Sequence, residues 1–223
     1  MKWQSILSWL ISIFIPFFLI ITAVRLLLNP LFLQIEYHLP TFPPDPYGFT
    51  TQDRLYWAEI SLDYLLNSAG IEFLSEQRFA DGSPLYNGRE LKHMLDVKML
   101  VQSILVVWYI LLIFLVISFL AAKRGKWTTG YWRSLERGGW LTIGLILLIL
   151  ISVALSFNTL FTAFHRVFFE GESWIFRYSD TLIRLFPMRF WQDAFTYMGV
   201  IALLLGGITA VCGHYLAHRS SKT

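Results

Sequence analysis

The sequence predicts an all-α membrane protein: four transmembrane helices with an extracytoplasmic cap built from the first and third connections. Three observations predict it. Of 223 residues, 56% are hydrophobic and 15% charged, a balance that a soluble domain of this length does not need. Four stretches, 3–24, 99–122, 138–164 and 194–217, hold no Asp, Glu, Lys or Arg, and each reaches the roughly 20 residues that a bilayer crossing takes. The basic residues then gather where a four-span chain keeps one face: Lys2, the segment KRGKWTTGYWRSLER with five basic residues against one acid, and Arg219 and Lys222. That face is the cytoplasmic one. The net charge of +3 is this positive-inside signal. With no basic-aromatic stripe beside it, nucleic acid is not an expected partner.

Residues 1–29 form the first span. Its apolar run exceeds the 7–15 residues of a signal-peptide core, and no small-x-small cleavage site precedes Arg25, so it is read as a retained anchor. Residues 30–98 are the first part of the cap, with ten carboxylates against five basic residues. LPTFPPDPYGFT places four prolines within seven residues, which forbids a helix and gives a stiff, extended lead-out. TQDRLYWAEISLDYLLNS is helical by period: Leu55, Ala58, Leu62 and Leu65 or Leu66 share a face. Thr50 and Asp53 stand at capping-box spacing, and Asn67 to Gly70 supply a stop.

Residues 99–122 are the second span, 123–137 a basic cytoplasmic loop, 138–164 the third span and 165–193 the second, charge-balanced part of the cap. The fourth span, 194–217, leads into a cytoplasmic tail, 218–223. Cys212, the single cysteine, is a packing residue near Gly206 and Gly207 on this reading, and one cysteine excludes an internal disulfide.

The candidate chemistry lies where the second span begins. In NGRELKHMLDVKML, Asn87 and Glu90 have capping-box spacing, so a helix starts at Gly88 or Arg89 and runs unbroken into the span. Glu90, His93 and Asp96 follow at intervals of three, and Arg89 stands four before His93, so each pair can touch. At 1.5 Å rise per residue, His93 lies ~9 Å above Met99, near the depth of lipid ester groups. His165 is the first ionisable residue after the third span. That span ascends where the second descends, so both imidazoles fall in one thin slab among Phe161, Phe164, Phe168, Phe169 and Trp174.

Interfacial aromatics and a snorkelling Lys98 are ordinary at helix ends. Two histidines at matched depth, one flanked by carboxylates able to fix its tautomer and raise its basicity, instead suggest acid–base catalysis. Neither GxSxG nor any serine motif accompanies them, so for an enzyme the candidate nucleophile belongs to the substrate. His38 reads as a cap-surface residue, and His214 and His218 as complements of a helix C-terminus. A zinc site of His93, Asp96 and His165 is conceivable by position, but no HExxH pair supports it, and no metal is expected. Arg25 either snorkels or helps polarise a lipid carbonyl. From the residues alone, three functions stay open: an acyl transfer, a lipid esterase or acyltransferase with another acceptor, and a non-catalytic lipoprotein-binding membrane protein.

RELKHMLDVK, followed after the third span by FHRVFFEGESWIF and DTLIRLFP, resembles the bacterial lipoprotein intramolecular transacylases over nearly the whole chain. The resemblance implies a four-helix enzyme of the bacterial cytoplasmic membrane, with both termini cytoplasmic and the active site at the outer face. Its substrates would be diacylglyceryl-modified lipoproteins, met among membrane lipids. The reaction moves the sn-2 acyl chain to the α-amino group of the same N-terminal cysteine and leaves the lyso form. The resemblance assigns catalysis to His93 and His165 and crowds aromatic residues around them, which matches Phe161, Phe164, Phe168 and Trp174 as substrate contacts. Spacing adds Glu90, Asp96 and Arg89 as supporting residues, Arg25 and Tyr86 are further candidate substrate contacts, and no cofactor is required.

Overall fold

The computed structural model describes residues 2–221. Two charges counted for the inner face, the Lys2 side chain and Lys222, lie outside the described parts. In chain order the helices are α1 (Lys2–Leu27), α2 (Pro30–Tyr37), α3 (Thr51–Leu66), α4 (Glu72–Ser75), α5 (Gly88–Arg124), α6 (Thr128–Phe168), α7 (Thr181–Leu185) and α8 (Met188–Ser220). α1, α5, α6 and α8 are long and apolar enough to cross a membrane. The only extended pairing among the described residues is an isolated bridge between Arg78 and Pro84.

Local chemistry sets the helix ends. The Thr50 hydroxyl accepts from the Asp53 amide while the Asp53 carboxylate takes the Thr50 amide, so the capping box at α3 forms as expected. At α5 the Asn87 carboxamide accepts from the amides of Arg89 (3.0 Å) and Glu90 (3.1 Å), and Glu90 Oε2 takes the Asn87 amide at 2.8 Å. α2 was not foreseen. Its start is fixed by Asn29, whose Oδ1 accepts from the Phe32 amide, with Pro30 in the first turn.

Two expectations change. The basic segment 123–137 is almost entirely helical, and only residues 125–127 leave the helices, with Lys126 at φ 55. Lysine and arginine are good helix formers that snorkel, so charge marks the end of an apolar span and not the end of a helix. α6 is itself interrupted. Ser156 is extended (φ −163, ψ 83) and its Oγ lies 2.8 Å from Thr159 Oγ1, as at the start of a new helical segment.

The chain divides into two compact units. A bundle unit comprises residues 1–26, 105–155 and 196–223, and a connection unit comprises Leu27–Ile104 and Ser156–Phe195. The bundle unit packs Ile11, Ile15 and Leu19 of α1 against Leu115, Ala122, Trp127 and Tyr131. Its polar interior is small: Ser8 Oγ and Ser134 Oγ are 2.6 Å apart, Ser12 Oγ donates to Ser134 O, and Arg137 donates to Ser8 Oγ at 2.7 Å. α6 and α8 approach so closely that a Cβ on Gly139 would lie 2.6 Å from both Gly206 O and Ala210 N. The face of α8 turned to α6 carries Gly206, Ala210 and Gly213. Cys212 is off that face and exposed, so it is not the packing residue expected.

The connection unit has its own core of Tyr64, Leu74, Leu85, Tyr86, Met94, Leu182 and Leu185. Ala58 and Leu62 of α3 face inward as the period required. Leu66 is 43% exposed, and Arg54, Ser61 and Tyr64 are buried in addition. α7 is tied on three sides: its Leu182 amide donates to Glu90 Oε1 (2.7 Å), Thr181 Oγ1 donates to Leu85 O (2.6 Å), and Leu185 O accepts from the Tyr37 hydroxyl (2.8 Å). Lys98 does not snorkel. It is buried, and its Nζ donates to Ala69 O and Asn67 Oδ1 while lying 4.1 Å above the Tyr64 ring.

Candidate functional site

Both histidines belong to the connection unit, and the structure brings them together. His93 stands two turns into α5. His165 stands in the last turns of α6, beyond the Ser156 break. Their ring centroids are 5.9 Å apart with planes 21° from parallel.

The enclosure is aromatic. Phe169 and Phe176 meet His93 edge-on at 5.0 and 5.3 Å, and His165 is flanked by Phe161 (4.2 Å), Trp174 (4.9 Å), Phe169 (5.4 Å) and Phe164 (5.6 Å). His93 and His165 are buried, at 8% and 7% exposure. Such a wall keeps water from the imidazoles and strengthens any electrostatic contact made inside it.

The two imidazoles are held differently. His165 Nδ1 is 2.8 Å from Phe161 O, four residues back on its own helix. A carbonyl only accepts, so the proton is on Nδ1 and Nε2 keeps its lone pair. His93 Nδ1 is buried without a hydrogen-bond partner. His165 thus presents an acceptor at Nε2, while no protein group fixes the tautomer of His93 through Nδ1.

The expected supporting residues act elsewhere. Glu90 is buried at 1% exposure, and its two oxygens take the Asn87 and Leu182 amides, not His93. Asp96 accepts from Ser173 Oγ at 3.4 Å, and Arg89 donates to Ile175 O at 3.0 Å. The spacing argument put these side chains on the correct helix. It could not show that Ser173, Ile175 and Leu182, all in the second connection, supply their partners instead. These residues hold the second connection over the histidines.

Trp174 lines the pair, and its Nε1 donates to Gly171 O. Phe168 touches Phe164 at 4.8 Å and is half exposed. Tyr86 lies in the core of the unit, its hydroxyl 2.8 Å from Ser61 Oγ, and meets neither imidazole in a ring contact. Arg25 belongs to the bundle unit, where its guanidinium lies 4.2 Å over Trp108 and donates to the Tyr109 hydroxyl. His38 is exposed with Nδ1 on Gln34 O, and His214 Nδ1 meets Glu136 at 2.9 Å. No group of three His, Cys, Asp or Glu able to hold a metal ion occurs among the described residues.

Sequence reasoning missed Phe176, which no periodic pattern marks, and Glu36. Glu36 sits on α2 at 0% exposure with the Asp193 carboxylate beside it. Burial first, and then the neighbouring Asp193 carboxylate, push its pKa up to about 8.

A family model described as lipoprotein intramolecular transacylase Lit matches residues 9–191. An uncharacterised protein of Aquifex aeolicus is 30% identical over 215 residues, covering 94% of each chain. The in meso structure of the membrane integral lipoprotein intramolecular transacylase Lit from Bacillus cereus superposes with a TM-score of 0.83 at 18% identity, over 100% of this chain and 99% of that one. A histidine-to-alanine variant of that protein gives 0.74 at 19% identity, over 100% and 97%. The membrane-integral four-helix fold is shared.

Proposed function

This chain belongs to the lipoprotein intramolecular transacylase family and is a membrane acyltransferase, and on that premise we propose that His93 and His165 move the sn-2 acyl chain of a diacylglyceryl lipoprotein onto the α-amine of its own N-terminal cysteine. The observation that carries this is the near-parallel pair of imidazoles inside one aromatic wall, His165 with its Nδ1–H held on Phe161 O and His93 with Nδ1 unpaired.

His165 is the base. An α-amine has a pKa near 7.7–8.0, so an imidazole lone pair is suited to take its proton as nitrogen attacks the ester carbonyl. His93 Nε2–H donates to the oxyanion that forms. When the C–O bond breaks, the glyceryl oxygen leaves with a proton and an amide remains. No atom is gained or lost. Nucleophile and ester share one molecule, so most of the work is positioning, which can supply about 7–11 kcal/mol. Phe161, Phe164, Phe168 and Trp174 form the acyl-facing wall, and Arg89, Glu90 and Asp96 hold the second connection over it. Arg25, on the same reading, meets a lipid carbonyl. Residues 30–98 and 165–193 face the outside of a bacterial cytoplasmic membrane and both termini face the cytoplasm, a reading supported by the basic residues at 123–137.

The test is tandem mass spectrometry of a synthetic diacylglyceryl lipopeptide after incubation with the lipid-reconstituted protein. An unchanged parent mass with the acyl group on the cysteine amine is expected, slowed about 10²–10⁴-fold in His165→Ala and in His93→Ala. Release of free fatty acid would make the protein an esterase, and an untouched lipopeptide would leave it a binding protein.

A further inference from the structure

The bundle unit carries a groove that the acyl-transfer chemistry does not use. It has a volume of about 550 Å³ and lies between the start of α1 and the last turns of α5, lined by Trp3, Ile117, Leu120, Ala121, Arg124 and Gly125. Ile117, Leu120, Ala121 and Arg124 follow at helical spacing and form one stripe ~10 Å long. The apolar part of the groove is open to its surroundings: Ile117 is 61%, Leu120 46% and Trp3 47% exposed. Trp3 meets Trp127 edge-on at 5.9 Å, a contact that holds its ring in place.

The polar end of the groove is cationic. Arg124 lines it, Lys123 and Lys126 flank Arg124 and Gly125 in the chain, and all three are exposed. The carbonyls that end α5 do not need these cations, since Ala121 O accepts from the Gly125 amide (2.8 Å) and Ala122 O from the Trp127 amide (3.0 Å). The unit also has no acid to spare. Against nine Lys and Arg it holds one acidic residue, Glu136, and His214 Nδ1 meets that carboxylate at 2.9 Å. An anion for the three cations therefore has to come from outside the bundle unit.

The occupant has to suit both ends. Inorganic phosphate would meet the cations and leave the apolar stripe unused, and a hydrocarbon would do the reverse. A choline or ethanolamine head would bring a further cation to the three already there. We propose that this groove binds one anionic phospholipid, with its phosphate on Arg124 and an acyl chain along Leu120 and Ile117 against Trp3. A guanidinium takes a phosphate through two N–H donors at once, and an indole, apolar in body and polar at its tip, suits the level of the head groups. Basic pockets between spanning helices are where such head groups bind. Nothing in this proposal depends on the histidines.

The experiment titrates the purified, detergent-solubilised full chain with phosphatidylglycerol or with phosphatidylcholine of identical acyl chains, reading the one-to-one adduct by native mass spectrometry. The wild type is expected to prefer phosphatidylglycerol by on the order of a hundredfold. Arg124→Gln should lower that preference about fivefold, and adding Lys123→Gln and Lys126→Gln should remove it. Leu120→Trp fills the stripe at unchanged charge and should weaken phosphatidylglycerol about tenfold. Arg133→Gln removes one exposed charge that does not line the groove and should leave the preference in place. Arg124 and Arg133 are both exposed, so these two variants carry the test whether or not Leu120→Trp folds. Equal affinity for the two lipids in the wild type overturns the proposal, as does an equal loss in Arg133→Gln. So does displacement of phosphatidylglycerol by inorganic phosphate but not by chloride at the same ionic strength.

Discussion

The bundle unit and the connection unit are held by opposite means. In the bundle, cohesion comes from shape: Gly139 against the backbone of Gly206 and Ala210, Gly213 against Trp132 and Glu136, and a few serine hydroxyls between α1 and α6. Lipid is as apolar as leucine, so burying apolar surface between helices gains little there and close approach has to suffice. In the connection unit, charged and polar side chains reach distant main-chain atoms: Arg89 to Ile175, Glu90 to Leu182, Thr181 to Leu85, Lys98 to Ala69. Irregular backbone needs partners that it cannot supply itself, so long side chains supply them. One unit should therefore fail when volume is added, the other when a polar atom is removed.

The largest expected effect tests the bundle. Gly139→Leu forces a side chain into α8 backbone and should remove the folded population altogether, read as loss of the monodisperse peak in detergent. Gly207→Leu, where a Cβ meets nothing within 4 Å, should leave that peak in place. If both behave alike, shape is not what holds the bundle.

Polar loss gives the next effect. Glu90→Ala strands the buried Leu182 amide and frees the part-buried Asn87 amide in the connection unit, and should cost about 3 kcal/mol. Ser12→Ala in the bundle should cost about 0.6 kcal/mol, the usual value for a hydrogen bond between membrane helices. Thermal midpoints in one detergent check both, and equal losses would end the contrast.

The last effect depends on pH. The pKa of Glu36 is raised from 4.5 to about 8, so the folded state holds a proton that the unfolded state releases. The stability gained from it is complete below about 4.5 and is lost as pH rises through about 8. Between pH 5.5 and 8.5 the fall should be on the order of 3 kcal/mol, seen as a lower midpoint, and Glu36→Gln should flatten the slope. A slope unchanged by that substitution would assign the effect to another group.

Sequence reading succeeded where the signal was local. The two capping boxes at Thr50 and Asn87 are short-range chemistry, and the four spans are composition. The pairing of His93 with His165 followed from counting residues down one helix and up another. It failed where the partner is remote or the cue is a single residue. Ser156 breaks α6 without a proline or glycine to mark it. Glu90 looked like a neighbour of His93 by its interval of three, but the amide that claims it belongs to Leu182, far along the chain. Glu36 lies in LFLQIEYH as one acid among apolar residues, and nothing there announces that Asp193 will stand beside it.

The bond from His165 Nδ1 to Phe161 O has a consequence for how such an enzyme diversifies. Many catalytic imidazoles depend on a separate acid to fix the tautomer, and that acid ties down everything around it. On the mechanism proposed above, the helix orients its own base through a main-chain oxygen that every residue type possesses. On that mechanism Phe161, Phe164 and Trp174 can change in size without disturbing the tautomer, so the fit to longer, shorter or branched fatty acids can vary while the seat of the proton stays the same.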